Sequence, residues 1–291
     1  MIPGGPIHGG VMMDFKLLGY DEEFLLKISQ KLDLVVKSGF WSGGEYSKSI
    51  EETFSNLYGM GAVSCSSGGM ALELVCKAFP EIKKIGVQSN TYFATVLPWI
   101  NKKTELVLMG SKKYSLTPSL DHVKEASKLG VDAIILTHIG GYPIPEIKKI
   151  TEFCIENRIL LFEDCAHSPL TKIDNLYVGS FGDASIFSFF PTKPIPAGEG
   201  GMVLFKNKDL AKKVCLIRDY GKVNINDKIF HKLPAVSNGR LNEFSASIVS
   251  TFLENYKRIY LIRKEIGSIY DDKIPNKLIY QKNINERQKL S

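Results

Sequence analysis

The region from residue 159 to residue 205 constrains the fold more than any other part of the chain, because it contains three short apolar runs separated by polar or glycine-rich segments. The runs are Ile159–Phe162, Ala184–Phe189 and Met202–Phe205, and two acidic residues follow the first run at once. Short apolar runs bounded in this way are typical of buried strands. Charged residues at the ends of such strands indicate a ligand site at one edge of a sheet.

Two ionisable residues of this region suggest a particular chemistry. Asp164 follows the first run, and Lys193 is the one lysine between the second run and the glycine loop at 198–201. A carboxylate at a strand end and a lysine beyond the next strand fit a pyridoxal 5'-phosphate (PLP) site. There the lysine binds the cofactor aldehyde covalently, and the carboxylate keeps the pyridine nitrogen protonated. The alternative is that the two residues lie on unrelated surface loops.

Strand and helix patterns alternate along the rest of the chain. Further strands are predicted at 62–66, 85–88, 105–109 and 132–136, and helices at 22–38, 70–79, 145–158 and within 206–222. This alternation predicts an α/β fold with a mostly parallel sheet and helices on both of its faces. Ligands of such sheets bind at the carboxyl ends of the strands.

Three further helix starts are predicted from capping patterns. Ser49-Ile50-Glu51-Glu52 has the form of a capping box. Thr117-Pro118 would begin a helix that runs to about Leu129. Ser237-Asn238-Gly239-Arg240 would begin a long helix to about Ile269, with Asn238 as its cap.

A glycine turn and a histidine also follow predicted strands. Ser67-Gly68-Gly69 lies between a strand and a helix, where free backbone N–H groups and the helix dipole favour a phosphate. Taken alone, the pattern favours a tight turn without a ligand. His138 follows the strand at 132–136, and we expect a structural role for it rather than a ligand contact.

Composition excludes several classes of protein. Lys and Arg number 37 against 31 Asp and Glu, a surplus that suits a small anionic substrate, and no concentrated basic stripe indicates nucleic-acid binding. No apolar run is long enough to span a membrane, and the N-terminus lacks the features of a signal peptide. The five cysteines have no metal-ligand spacing, so we expect reduced thiols, no metal site and a cytoplasmic location.

The ordered motifs resemble those of a known family. EDCAH at 163–167, GSFGDASIFSF at 179–189, the following Lys193 and GEGG at 198–201 are similar to the motifs of the DegT/StrS sugar aminotransferases of PLP fold type I. The resemblance extends from about Gly39 to about Arg263. It implies a seven-stranded, mostly parallel sheet sandwiched by helices in a PLP-binding large domain over residues 1–240. Residues 241–291 would be a long helix and the truncated start of a small C-terminal domain that is largely absent.

The resemblance also implies catalytic roles. Lys193 would hold PLP and, once freed by the amino donor, would act as general base and general acid. Asp164 would stabilise the protonated ring nitrogen, and His167 would approach the phenolic oxygen of the cofactor.

Further residues would bind the cofactor. Ser188 and the Gly68-Gly69 turn would bind its phosphate, although Gly69 replaces a threonine that is usual in the family. Tyr92 would stack on the ring. Asn238 would reach the phosphate held by the partner subunit of a homodimer, and residues 41–44 would lie near the dimer interface.

The implied reaction moves an amino group from an amino acid, most plausibly glutamate, to a keto sugar that is linked to a nucleotide, in polysaccharide or glycoconjugate biosynthesis. Two alternatives remain open. Some relatives with the same fold are PLP-dependent sugar dehydratases, in which a histidine replaces the lysine. A non-catalytic PLP-binding or regulatory protein is the other, suggested by the short C-terminal part.

Overall fold

The computed structural model describes residues 20–111, 115–231, 233, 235 and 238–273. Its centre is one sheet of seven strands, flanked by two small strand pairs. In chain order the strands are β1 (Gly61–Cys65), β2 (Lys84–Gln88), β3 (Glu105–Met109), β4 (Ala133–Thr137), β5 (Leu160–Asp164), β6 (Lys172–Ile173), β7 (Leu176–Tyr177), β8 (Ala184–Ser188), β9 (Gly201–Phe205), β10 (Lys222–Ile225) and β11 (Lys228–His231). The pairs β6-β7 and β10-β11 lie outside the central sheet.

The strands of the central sheet lie in the order β1-β9-β8-β5-β4-β2-β3. Strand β9 is antiparallel to both of its neighbours, and the other pairings are parallel. The prediction of a mostly parallel, seven-stranded sheet is therefore confirmed. Because β4, β5 and β8 are parallel neighbours, the residues that follow them meet at one edge of the sheet.

Helices cover both faces of the sheet. They are α1 (Glu22–Ser38), α2 (Glu45–Tyr58), α3 (Gly68–Ala78), α4 (Leu97–Asn101), α5 (Leu120–Lys128), α6 (Ile147–Glu156), α7 (Lys208–Arg218), α8 (Glu243–Glu254) and α9 (Tyr256–Lys273). One apolar cluster contains residues of α1, α2, α5, α6 and α8, and a second contains residues of α3, α4 and α7. In β5, Leu161 belongs to the first cluster and Phe162 to the second, because successive side chains of a strand point to opposite faces.

The capping box predicted at residues 49–52 is wrong, because α2 begins four residues earlier, at Glu45. The carboxylate of Glu243 accepts hydrogen bonds from Tyr46 N at 2.8 Å and from Ser47 N at 3.0 Å. These two N–H groups belong to the first turn, which has no partners within the helix. A side chain distant in sequence therefore caps α2, and no local pattern could show it.

The helix start predicted at Thr117-Pro118 is also displaced. Helix α5 begins at Leu120, and Ser119 is its cap. The Ser119 side chain and His122 Nδ1 lie 2.8 Å apart, and Ser119 N donates to the same nitrogen at 3.2 Å. In return, the Ser119 side chain accepts from the backbone N–H of His122. Ser119 and His122 thus form a capping box two residues beyond the predicted start.

The single long helix predicted over 237–269 is wrong as well. The structure has two helices, α8 and α9, which are separated at Asn255. Asn242 caps α8, because its side chain accepts a hydrogen bond from Ser245 N at 2.8 Å. Asn238 instead forms an isolated antiparallel bridge with Asp219. Ser237 lies outside the described residues.

Helix α8 packs against α1 and α2. Its residues Ala246, Val249 and Phe252 belong to the same apolar cluster as Phe24 of α1.

The division of the chain at residue 240 stays a prediction, and residues 1–19 and 274–291 lie outside the described ranges. Among the described residues, no helix combines the length and the apolar composition that a membrane span requires.

Glu163 holds the connection between β5 and β8 in place. The side chain is fully buried, and its oxygens accept hydrogen bonds from Gly179 N, Phe181 N and Gly182 N, each at 2.8 Å. His138 Nε2 lies 3.0 Å from the same carboxylate. Since buried backbone N–H groups need acceptors, this one side chain stabilises the turn at residues 179–182 by accepting three of its N–H groups.

We expect Glu163→Gln to lower the free energy of unfolding by at least about 2 kcal/mol, because the amide keeps one acceptor oxygen and leaves a buried N–H group unpaired. Urea unfolding followed by tryptophan fluorescence would measure the change. The matched control is Glu52→Gln, on an exposed position of α2, which should change stability by less than about 0.5 kcal/mol. Equal stability of the two variants would contradict the role of Glu163.

Candidate active site

Three of the predicted site residues follow β5 and β8 at the carboxyl edge of the sheet. Asp164 is the last residue of β5, His167 lies three residues further on, and Lys193 lies in the loop after β8. They are close enough for the charge of Lys193 to lower the pKa of His167 and for the charge of Asp164 to raise the pKa of both His167 and Lys193. The structure therefore brings together the residues to which the sequence assigned catalytic roles.

Asp164 is buried, with 5% of its surface exposed. Its Oδ2 accepts a hydrogen bond from Thr95 Oγ1 at 2.8 Å, and its Oδ1 accepts one from Ala166 N at 3.1 Å. These two hydrogen bonds fix the orientation of the carboxylate. Sequence reasoning missed Thr95, although it lies in the segment that contains Tyr92, because its partner is 69 residues away.

Lys193 is half-buried. Burial lowers the pKa of its amine, and the negative charge of Asp164 partly opposes this change. A lowered pKa increases the fraction of neutral amine, which is the form that reacts with an aldehyde. The loop geometry is fixed by Lys193 N, which donates to Phe190 O at 2.9 Å.

His167 has a defined ring orientation. Its Nδ1 accepts a hydrogen bond from Gly140 N at 3.1 Å, so the neutral imidazole carries its proton on Nε2. Burial lowers the pKa of His167, the positive charge of Lys193 lowers it further, and Asp164 acts in the opposite direction. The neutral form is therefore favoured, with Nε2–H as a donor.

The predicted phosphate turn is packed tightly against the ends of β8 and β9. Ser67 caps α3 by accepting a hydrogen bond from Met70 N at 3.0 Å. A Cβ atom on Gly68 would lie 2.8 Å from Ser188 Cβ, and one on Gly201 would lie 2.5 Å from Ser67 O. Only glycine permits this approach. The N-terminus of α3 and the Ser188 hydroxyl thus lie side by side, as an anion site requires.

Gly69, Tyr92 and Asn238 lie at the surface. Gly69 is exposed, and the Tyr92 side chain is 73% exposed. Asn238 is exposed too, and the next residue, Gly239, accepts a hydrogen bond from Ser66 N at 2.9 Å. Within the described residues, no hydrogen bond or ion pair joins Tyr92 or Asn238 to Lys193, Asp164 or His167.

A cluster of His138, Glu163 and Cys165 brings three possible metal ligands within 4.8 Å of one another. Glu163 already accepts backbone hydrogen bonds, and His138 Nδ1 accepts one from Ile144 N at 3.1 Å. Burial raises the pKa of Cys165 well above its usual range, so the thiol is retained. Both ring nitrogens of His138 therefore have hydrogen-bond partners, Glu163 Oε2 and Ile144 N, which agrees with the structural role expected for this histidine.

The donor set fits PLP. It contains a half-buried lysine, a buried carboxylate held by two donors, an imidazole N–H and a helix N-terminus beside a serine hydroxyl. These groups match an aldehyde, a pyridine nitrogen, a phenolic oxygen and a phosphate in turn.

A sugar-nucleotide enzyme has a sequence similar to this chain. GDP-perosamine synthase of Vibrio cholerae is 31% identical over 239 residues, which are 81% of this chain and 64% of that protein. The chain thus spans less than two thirds of the length of this relative.

Two solved structures show the same fold. Helicobacter pylori PseC, an aminotransferase involved in the biosynthesis of pseudoaminic acid, has a TM-score of 0.80 and 23% identity, over 89% of this chain and 70% of that chain. The PLP form of Spr1654, a putative sugar aminotransferase of Streptococcus pneumoniae, has a TM-score of 0.78 and 19% identity, over 87% and 69%.

The sequence profile of the DegT/DnrJ/EryC1/StrS aminotransferase family matches residues 25–288. The resemblance of the motifs is thereby confirmed over most of the chain. The chain belongs to the DegT/DnrJ/EryC1/StrS aminotransferase family.

Proposed function

We propose that the protein is a PLP-dependent aminotransferase that moves an amino group from an amino acid, glutamate first among the candidates, to a nucleotide-linked keto sugar for polysaccharide or glycoconjugate biosynthesis. The observation that carries the proposal is the convergence of Lys193, Asp164 and His167 at the carboxyl edge of β5 and β8. Family membership and the PLP form of Spr1654 support the cofactor. The name of the Vibrio cholerae relative supports a nucleotide-linked sugar.

PLP, when bound, supplies an electron sink for the charge that develops on the substrate carbon. Lys193 would hold it, and Asp164 would pair with the ring nitrogen. Ser188 and the N-terminus of α3 at Gly68-Gly69 would hold the phosphate. Tyr92, which is exposed beside this edge, would stack on the ring.

The proton transfers belong to Lys193. Once released by the amino donor, its neutral amine would accept the proton from the substrate carbon at Nζ and return it to the cofactor carbon on the other side of the transferred nitrogen. Asp164 would stay paired with the ring nitrogen throughout. His167 donates from Nε2, since Nδ1 is occupied by Gly140 N, and thereby holds a phenolic oxygen in place.

A cleft of about 650 Å³ adjoins the site and suits the keto sugar that would accept the amino group. His167 lies at its wall, and Lys172, Lys257 and Arg263 contribute positive charge. Among the described residues that line it, none is an aspartate or a glutamate. Four tyrosines also line it, Tyr142, Tyr177, Tyr256 and Tyr260. Cationic and aromatic groups together match the diphosphate and the rings of a nucleotide sugar.

The two alternatives are weaker. A sugar dehydratase of this family would carry a histidine in place of Lys193, and this chain has the lysine. A non-catalytic PLP-binding or regulatory protein would not need the lowered pKa that burial gives to Lys193. An assay of amino transfer from glutamate to a keto sugar separates the aminotransferase from both alternatives.

We also propose a homodimer, located in the cytoplasm. Phe40 and Trp41 are exposed apolar residues, with 72% and 55% of their surface accessible. Trp41 O accepts a hydrogen bond from Glu243 N, and Ser42 forms a bridge with Asn242, so these residues lie beside the segment that leads from Asn238. Exposed aromatic side chains favour an interface at this position. The five free cysteines suit a reducing compartment.

Borohydride reduction of the PLP-loaded protein should fix the cofactor on Lys193, because its amine is half-buried and has a lowered pKa. Peptide mapping by mass spectrometry would locate the label. Lys172→Ala, a change in the neighbouring cleft, should leave the label unchanged, whereas Lys193→Ala should abolish it. A label on another lysine of the wild-type protein would refute the assignment.

Asp164→Asn should retain bound PLP and lower the rate of amino transfer from glutamate by about two to three orders of magnitude, because one preorganised charge is lost. The measurement is the steady-state rate with a panel of nucleotide-linked keto sugars, with absorbance as the check for bound cofactor. An unchanged rate would show that Asp164 does not have this role. Wild-type protein without any amino transfer would contradict the proposed reaction.

Complementation should show that Asn238 serves the partner's site. When Lys193→Ala and an inactive Asn238→Ala variant are mixed, about half of the dimers are mixed and each has one intact site, so about a quarter of wild-type activity should return. Each variant alone is the control and should remain inactive. If Asn238 acts within its own chain, both sites of a mixed dimer are defective and no activity returns.

A further inference from the structure

Asp164 lies at the end of a row of threonine hydroxyl groups that the proposed mechanism does not use. Thr95 Oγ1 lies 2.8 Å from Asp164 Oδ2 and 2.9 Å from Thr91 Oγ1. Thr91 Oγ1 lies 2.7 Å from Thr137 Oγ1. Thr95 and Thr137 are buried, and Thr91 is half-buried. We call these three side chains the hydroxyl row.

The row is built from separate parts of the fold. Thr137 ends β4 and is paired with Asp164 across the parallel ladder. Its backbone N–H donates to Gln88 Oε1 at 3.1 Å, which ties it to the end of β2. Thr95 closes the 3₁₀ turn that follows β2. Strand β4 and the segment after β2 thus place three hydroxyl groups in one hydrogen-bonded row that ends at a carboxylate oxygen.

The direction of the hydrogen bonds follows from the charge of the carboxylate. An ionised carboxylate only accepts, so Thr95 donates its single hydroxyl proton to Asp164. Thr95 Oγ1 then accepts from Thr91, and Thr91 Oγ1 accepts from Thr137. All three protons point toward Asp164. Because hydrogen bonds in such a row polarise one another, the row acts on the carboxylate more strongly than one hydroxyl would.

We propose that Thr95, Thr91 and Thr137 are positioning residues that keep Asp164 ionised and aimed at the ring nitrogen of the cofactor. The inference rests on the proposed function. Burial by itself favours the neutral carboxyl, and donors to the charged form counteract it. The row occupies Oδ2, and in the described part of the chain Ala166 N is the donor to Oδ1, at 3.1 Å. Oδ1 therefore retains a lone pair for a ring N–H group.

The test uses the full chain loaded with PLP that carries ¹⁵N in its ring, since the nitrogen NMR shift distinguishes the protonated from the neutral ring. Thr95→Val removes the hydroxyl and keeps the shape. It should move the nitrogen signal toward the neutral ring and lower kcat by about tenfold or more, while KM changes little. Thr95→Ser should restore both. The double variant Thr91→Val/Thr95→Val should lose no more than Thr95→Val alone, because the row acts as a unit.

Thr104→Val is the matched control. Thr104 is also buried, and its hydroxyl has no hydrogen-bond partner among the described residues. This variant should leave the nitrogen signal and kcat at their wild-type values. A merely structural role of Thr95 would lower stability without moving the nitrogen signal.

An unchanged nitrogen signal in PLP-loaded Thr95→Val overturns the inference and leaves the proposed function intact. If Thr95→Val does not fold, Thr91→Val provides the same measurement one hydroxyl further away, and an unchanged signal there overturns the inference too. Wild-type protein that takes up no PLP contradicts the proposed function itself, and the inference with it.

Discussion

The site depends on two adjacent carboxylates at the end of β5 that point to opposite faces of the sheet. Glu163 is fully buried and accepts hydrogen bonds from three backbone N–H groups of the turn before β8. Asp164 points the other way, to Thr95 and the candidate site. Since β8 leads into the loop that holds Lys193, the buried side chain of Glu163 helps to set the position of the lysine relative to Asp164. Glu163 thus stabilises the turn before β8, and Asp164 faces the candidate site.

The single antiparallel strand of the sheet has a comparable effect at the phosphate turn. Strand β9 returns beside β8 and β1, and its first residue, Gly201, lies against the backbone of Ser67. Gly68 packs against Ser188, since a Cβ atom on this glycine would lie 2.8 Å from Ser188 Cβ. A helix N-terminus and a serine hydroxyl therefore share one small space. Packing of backbone on backbone, rather than a charged side chain, shapes the phosphate site that we propose here.

Capping shows where local patterns were insufficient. Helix α1 ends at Gly39, as its sequence predicts, because the cap is local and Gly39 adopts a left-handed conformation. Helix α2 begins where Glu243 meets its first turn, and that residue is almost 200 positions away. Asn242 rather than Asn238 caps helix α8, since backbone pairing with Asp219 occupies the earlier asparagine. Two asparagines four residues apart cannot be ranked as caps without their tertiary partners.

Periodicity and ordered motifs were sufficient for the class of fold, the seven strands and the family, because apolar burial and strand alternation are written in neighbouring residues. They also proposed Lys193, Asp164 and His167 as site residues, because the motifs that contain them lie at or after the ends of β5 and β8. The two roles of Glu163 and Asp164, and the row of Thr95, Thr91 and Thr137, required the tertiary structure. Hydrogen bonds between residues dozens of positions apart depend on how strands are ordered in the sheet, and that order has no local signature.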